Sequence, residues 1–337
     1  MRKSTLAVSV IIALGVIWTG GAWYTGKVAE SEMQSQLDRL NQEAQAYAAL
    51  GYEVKIGNAK LERGIFSSDH SYEVMVKSLN DSHSWVFPFE GKLYHGPLPL
   101  NRLSRFDFVP AMFSAEDKLV RNDTTQHYFA ATNNNEPINA EITVSYNREM
   151  EGYANVAAGS LTLPDTENGT DTQVHWSNAK VTYQVNKNSE GKVKYAFDLL
   201  QFLTKGQNDV SVDMAFKNMQ GVSEFQRTAF KHIFTGQQKG SADEFNYKLI
   251  RPETPPTSLQ LKNWDFDYQS GLTDNFVDYG VRMNAQTTLN NQPLGKLGFD
   301  SKLAHLEADT VERLVANTVD SNSPLTMMSS PSWDKNC

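Results

Sequence analysis

Residues 52–76, YEVKIGNAKLERGIFSSDHSYEVMV, set the period of this chain. Val54, Ile56 and Leu61 alternate with polar neighbours, Tyr72, Val74 and Val76 do the same, and Arg63-Gly64 supplies turn chemistry between the two runs. A period of two puts successive side chains on opposite faces of a pleated strand, so each run has one apolar and one polar face. The stretch predicts an antiparallel hairpin.

Outward from this hairpin the same period recurs. Alternating runs occupy 85–94, 138–146, 153–163, 174–185, 193–203, 210–219, 259–268, 276–289 and 294–306, separated by segments rich in Asn, Gly, Asp and Pro. Consecutive strands joined by short polar turns predict an antiparallel meander, not strand–helix alternation. Two stretches break the period. In 223–234, Phe225, Ala229, Phe230 and Ile233 fall at helical spacing, and in 308–319 so do Val311, Leu314, Val315 and Val319. The predicted class is α+β with β dominant: a long curved antiparallel β meander with one or two short helices. RPETPPT at 251–257 marks a weak boundary, but strands resume at once, so 51–320 reads as one β-rich domain.

Before the meander, residues 27–50 place Val28, Met33, Leu37, Leu40, Ala44, Tyr47 and Leu50 on one helical stripe, with Gly51 at the C-cap position. This amphipathic helix either packs on the chain's own sheet or forms a self-association seam. Residues 1–26 are different in kind. Arg2 and Lys3 precede an uncharged run of 20 residues from Thr5 to Tyr24, and a helix of that length spans about 30 Å, the bilayer's hydrocarbon thickness. Leu6, Val8, Val10, Ile11, Ile12, Leu14, Val16 and Ile17 supply the apolar body, and Trp18, Trp23 and Tyr24 resemble an interfacial belt. Gly20-Gly21-Ala22 also suits a signal-peptide cleavage site, but the run exceeds the usual signal-peptide length. Under either reading everything after Lys27 is exported; the anchor reading gives a single-pass protein with its N-terminus inside.

Composition narrows the partners. The 337 residues are 40% hydrophobic, enough for a sizeable core, and 31 basic against 39 acidic residues give a net charge of -8. Without a basic block, nucleic acid is not an expected partner. Cys337 is the only cysteine, so no intrachain disulfide forms. No nucleophile elbow, P-loop, dinucleotide fingerprint or zincin motif is present, and the histidines at 70, 83, 95, 127, 175, 232 and 305 include no pair at helical ligand spacing. No metal or cofactor is expected. Asp265 and Asp267 would share one strand face, with Trp264, Phe266 and Tyr268 opposite; the carboxylates read as a solvated face and the aromatics as packing. A hydrolase acting on glycan or peptidoglycan would need such a pair as acid and base.

Two segments are less generic: Arg63-Gly64-Ile65-Phe66-Ser67-Ser68 and His95-Gly96-Pro97-Leu98-Pro99-Leu100. The glycine suits a tight turn and the prolines end regular ladder pairing. Together with Gly15-Val16-Ile17-Trp18-Thr19-Gly20-Gly21-Ala22-Trp23-Tyr24 they resemble the YdgA family of Gram-negative bacteria. That resemblance implies an uncleaved inner-membrane anchor and a periplasmic β-rich domain, and it carries over no catalytic residue. Arg63, Gly64, Phe66, Ser67, Ser68, His95, Gly96 and Pro97 are therefore family-motif positions without an assigned role. Family members typically continue beyond the position of Val319, whereas this chain ends in a polar tail at 321–337. The expected function is a non-enzymatic membrane-anchored periplasmic envelope protein, a scaffold or binding module with lipid or another envelope protein as partner. Covered by its own helices, the apolar side of the meander makes a scaffold or interaction module; left partly open, it makes a groove for acyl chains.

Overall fold

A computed structural model describes residues 51–321, except 65–66, 80–82, 96–97, 166–169, 189, 207–208 and 231, together with Asp38, Asn41 and Ala44. The anchor residues Leu6 to Tyr24, most of the amphipathic helix and the polar tail beyond 321 lie outside the described residues. Asp38, Asn41 and Ala44 are helical, as the stripe predicts.

Fifteen strands form one sheet: β1 (Tyr52–Arg63), β2 (Ser67–Ser78), β3 (Ser84–His95), β4 (Phe113–Leu119), β5 (Ile138–Val144), β6 (Met150–Val156), β7 (Gly159–Asp165), β8 (Thr170–Trp176), β9 (Ala179–Val185), β10 (Gly191–Lys205), β11 (Ser211–Arg227), β12 (Phe234–Arg251), β13 (Thr254–Thr273), β14 (Phe276–Leu289) and β15 (Gln292–Glu307). Three helices are described: α1 (Leu100–Leu103), α2 (Gln126–Ala131) and α3 (Ala308–Ser321). Every pairing is antiparallel, so the predicted meander is the fold.

The runs at 153–163 and 174–185 are each two strands rather than one. β6 pairs with β9 and β7 with β8, yet both pairings keep one register, from Met150↔Val185 to Asp165↔Thr170. They are one long hairpin interrupted at Ala157-Ala158 and Ser177-Asn178. The interruption runs on across the sheet, through Asp198 of β10, Asn218-Met219 of β11, Asp243 of β12 and Asn263 of β13. Asn218 and Asn263 take positive φ of 51° and 50°, and along this line the alternation changes parity in both partners at once, so the registers of β10–β13 are kept and the line ends in a register shift between β13 and β14. In β10 the apolar face passes from Val193, Tyr195 and Phe197 to Leu200 and Phe202, and in β13 from Leu259 and Leu261 to Trp264, Phe266 and Tyr268. The rings remain on one side: Phe216 lies 4.8 Å from Phe245 and 6.5 Å from Trp264, across the line. The parity changes along this line while the apolar side chains stay on one side of the sheet.

The predicted helix over 308–319 is α3. The one over 223–234 is not a helix: residues to Arg227 complete β11, and Phe234 opens β12. Here β10 and β12 offer ladder partners on both sides, with Phe225 opposite Gly191 and Gly236, and a single short stripe of helical spacing does not outweigh them. The weak boundary at 251–257 is a hairpin turn with Glu253 at φ 62°, and Pro255 and Pro256 sit at the start of β13, where a missing donor costs least.

Among the described residues the apolar face is closed at one end of the sheet and open at the other. Over β1–β6 it is a dry core in which Tyr72, Val74, Val76, Phe87, Phe89 and Leu93 are buried against Phe129 of α2 and Ala44. The free edge of β1 is held by Asn41, whose amide donates to the Ile56 carbonyl at 3.0 Å and accepts from the Ile56 N–H at 2.7 Å. Over β10–β14 most of the corresponding side chains are half-buried, and on β15 they are exposed. α3 seats at the strand ends through Ala308 and Val311, against Ile233 and Val277.

Candidate functional site

The family-motif residues meet where β1, β2 and β3 end together. Arg63 stands opposite Ser68, Ser67 opposite Tyr94, and Ser68 opposite Leu93. The Gly64 N–H donates to the Ser67 carbonyl at 2.9 Å, and a Cβ at Gly64 would lie 2.4 Å from that oxygen, so the turn admits only glycine. The buried Ser68 hydroxyl lies 2.6 Å from His95 Nε2. Burial, and then the Arg63 charge, lower the His95 pKa and keep the ring neutral. A serine beside a neutral imidazole is the core of a nucleophilic dyad, but among the described residues no partner orients His95 Nδ1, and a serine 1% exposed is closed to substrate. The pair is a clamp that ties the start of β2 to the end of β3. Phe66, Gly96 and Pro97 lie outside the described residues.

A second polar contact sits in the dry core. His70 of β2 and Asp117 of β4 are separated in register by Gly91 of β3, and their side chains meet over it, Nε2 to Oδ1 at 2.7 Å. A Cβ at Gly91 would lie 2.7 Å from His70 Nε2, so the missing side chain makes room for the bond. Neither residue stood out in the sequence. The signal lay in the glycine at an apolar position of β3.

On the polar face, Arg105 beyond α1 makes a two-pronged contact to Glu141 at 2.7 and 2.8 Å. Tyr153 donates to Glu141 at 3.0 Å, and Asn101 bridges Ser114 at 2.9 Å and Glu116 at 3.1 Å. The Glu141 bond raises the Arg105 pKa, and burial followed by the Glu141 charge raises that of Tyr153. Grooves of about 720 and 420 Å3 flank this network. In the larger, Lys60, Lys92 and Lys118 are outnumbered by Glu62, Asp69, Glu90, Glu116 and Glu136, so the lining is acidic on balance and offers no preference for an anionic ligand. Among the described residues no group of three or more His, Cys, Asp or Glu side chains is placed to hold a metal ion.

The carboxylate pair is brought to one face of β13, as the spacing predicts, but each member is engaged in the ladder. Asp265 accepts from Asn284 at 2.9 Å; Asp267 accepts from Gln237 at 3.0 Å, with Lys239 at 3.7 Å. Opposite them Trp264, Phe266 and Tyr268 are half-buried rather than core. They belong to a row that includes Tyr195, Tyr279 and Met283, with Trp264 stacked on Phe266 at 6.0 Å and Tyr268 on Tyr279 at 6.4 Å. In the middle of this row Gly221 and Gly240 lie side by side between Tyr195 and Phe266. Their neighbours' rings lie down over them: a Cβ at Gly221 would be 2.3 Å from the Tyr195 ring, and one at Gly240 2.5 Å from Phe266. The result is a smooth, low aromatic floor on an otherwise raised face. Burial raises the Tyr195 and Tyr279 hydroxyl pKa values, so the floor carries no charge at neutral pH.

Among the described residues no helix is long and apolar enough to cross a membrane. No solved structure matches the chain. An uncharacterised protein of Haemophilus influenzae is 28% identical over 322 residues, covering 94% of this chain and 85% of its own length. Protein YdgA of Escherichia coli is 30% identical over 331 residues, covering 92% of this chain and 61% of YdgA, so the chain spans about three fifths of that relative. YihF of Escherichia coli, also uncharacterised, is 29% identical over 161 residues, which are 47% of this chain and 33% of YihF. The profile of the family described as bacterial proteins of unknown function, DUF945, matches residues 1–331, and with the resemblance to YdgA holding over nearly the whole length, the chain belongs to that family.

Proposed function

We propose that this protein is a non-enzymatic, membrane-anchored envelope protein of the periplasm whose open apolar sheet face holds the acyl chain of a lipid. The observation that carries the reading is the aromatic floor formed where Tyr195 and Phe266 lie over Gly221 and Gly240. An apolar face half-exposed across six consecutive strands, about 24 Å at the usual strand spacing, is larger than a chain leaves to water without a use for it. Each methylene laid on such a surface contributes up to about 0.8 kcal/mol. The uncharged 20-residue run at the N-terminus supports lipid as the partner, since an anchor there would hold the sheet beside a bilayer. A glycan hydrolase gains no support from Asp265 and Asp267, whose partners are amides and a lysine.

The test is native mass spectrometry of the full chain released from mild detergent. The reading expects an acyl lipid bound to the wild type and lost from Phe266→Asp, which puts a carboxylate on the floor. A wild type that carries no lipid, or a variant that carries as much, contradicts it.

A further inference from the structure

The two edges of the sheet are unlike. β1 is held by Asn41, whereas β15 has β14 as its only neighbour among the described residues and is exposed along nearly its whole length. Alternate backbone N–H and C=O groups along such an edge are a template for another strand. The side chains of β15 also say which strand fits. Around Ser301 the sequence reads Phe299-Asp300-Ser301-Lys302-Leu303. Phe299 and Leu303 lie on the apolar face, opposite Met283 and Tyr279, and Asp300 and Lys302 lie on the polar face, opposite Arg282 and Gly280.

We propose that β15 pairs antiparallel with β15 of a second copy of this chain, about a two-fold axis through Ser301. In that register Asp300 faces the second copy's lysine at 302 and Lys302 its aspartate at 300, giving two opposite-charge pairs. Phe299 faces the leucine at 303, and Leu303 the phenylalanine at 299, giving two apolar pairs. Directly opposite residues on one face are the pairs that stabilise antiparallel strands, and all four are favourable here. Moving the axis to Phe299 sets Lys296 against Lys302, and moving it to Asp300 sets aspartate against aspartate, so the charges select among registers. Phe299 at 51% exposure and Leu303 at 59% then gain the cover the single chain does not give them. Because the same edge of both copies is used up in the pairing, the contact is isologous and closes at two copies rather than growing into a filament. It also joins the two apolar faces into one.

Asp300 reaches Arg282 at 3.0 Å and Lys302 reaches Asp278 at 3.7 Å within the chain, but all four side chains are about half-exposed or more, so exchanging these charges leaves the fold intact. The experiment uses the full chain in detergent micelles, with mass measured by light scattering. The wild type is expected to be dimeric, Asp300→Lys and Lys302→Asp to lose the dimer, and the double exchange D300K/K302D to recover it. Paired residues on antiparallel strands have Cα atoms about 4.5–5.5 Å apart, within disulfide reach. In a Cys337→Ser background, Ser301→Cys is therefore expected to cross-link on mild oxidation, and Gly298→Cys, three residues off the axis, is not. A monomeric wild type, a dimer indifferent to the charge exchanges, or a cross-linking maximum away from Ser301 overturns the proposal. Pairing through the 27–50 helix, or cover of the edge by another segment of the chain, would appear as one of these.

Discussion

Replacing Asp117 with alanine removes one partner of the His70–Asp117 bond and leaves the other in a dry core. Both side chains are almost wholly buried, at 1% and 2% exposure, and Gly91 between them lets the bond form but offers no substitute acceptor side chain. Breaking a buried polar pair from one side costs about 1–3 kcal/mol, because the imidazole loses this bond while its desolvation penalty stays. Against a total stability of about 5–15 kcal/mol for a domain, that is a large share. Replacing both members by apolar groups removes the penalty together with the bond. His70→Leu/Asp117→Ala is accordingly expected to be more stable than Asp117→Ala by about 2 kcal/mol. Equilibrium urea unfolding followed by tryptophan fluorescence measures both differences. A single variant that costs under about 1 kcal/mol, or a double variant as unstable as the single, would refute the view that the pair is held by the core rather than by water.

Three smaller perturbations probe other joints. Asn41→Ala loses both bonds to Ile56 and should cost about 1–2 kcal/mol, with faster hydrogen exchange at the Ile56 amide; unchanged exchange would remove Asn41 as the guard of the β1 edge. Asn263→Val places a β-branched residue at φ 50° and should cost more than about 1 kcal/mol, whereas Asn263→Gly should be close to neutral; equal costs would contradict the positive φ at this position. The lowered His95 pKa means that the unfolded chain binds a proton more readily than the folded one, so this contribution is complete above the ordinary value of 6.5 and is lost as pH falls through the folded value. The stability difference between wild type and His95→Asn should therefore shrink on acidification below 6.5, and a difference constant with pH would sink the assignment.

The meander was legible because its period of two survives along most of the chain and its turns carry Asn, Gly and Pro. What escaped has physical causes. The strands 153–163 and 174–185 look continuous because the ladder is interrupted on both sides at the same level and the register is kept, so Ala157-Ala158 and Ser177-Asn178 leave no break in the local pattern. β12 was hidden by its own composition: Gln237, Gln238, Lys239 and Gly240 lie on strands whose apolar face is partly floored by glycine. α1 and α2, of 4 and 6 residues, are too short for a 3.6-residue period to show. Ser68 and His95 were singled out as motif positions, and the structure adds their mutual bond; the Tyr195 and Phe266 floor depended on strands brought together only by register, which no local pattern encodes.

Photolabelling decides whether the open apolar face receives an acyl chain. The full chain, in vesicles of a phospholipid whose acyl chain carries a diazirine, is irradiated and the labelled peptides are mapped by mass spectrometry. Label is expected on β10–β13 at and around Tyr195, Trp264 and Phe266, reduced when Gly221→Leu raises the floor. Label absent from these strands, or spread equally over the polar face around Arg105 and Glu141, would contradict acyl-chain binding on this face.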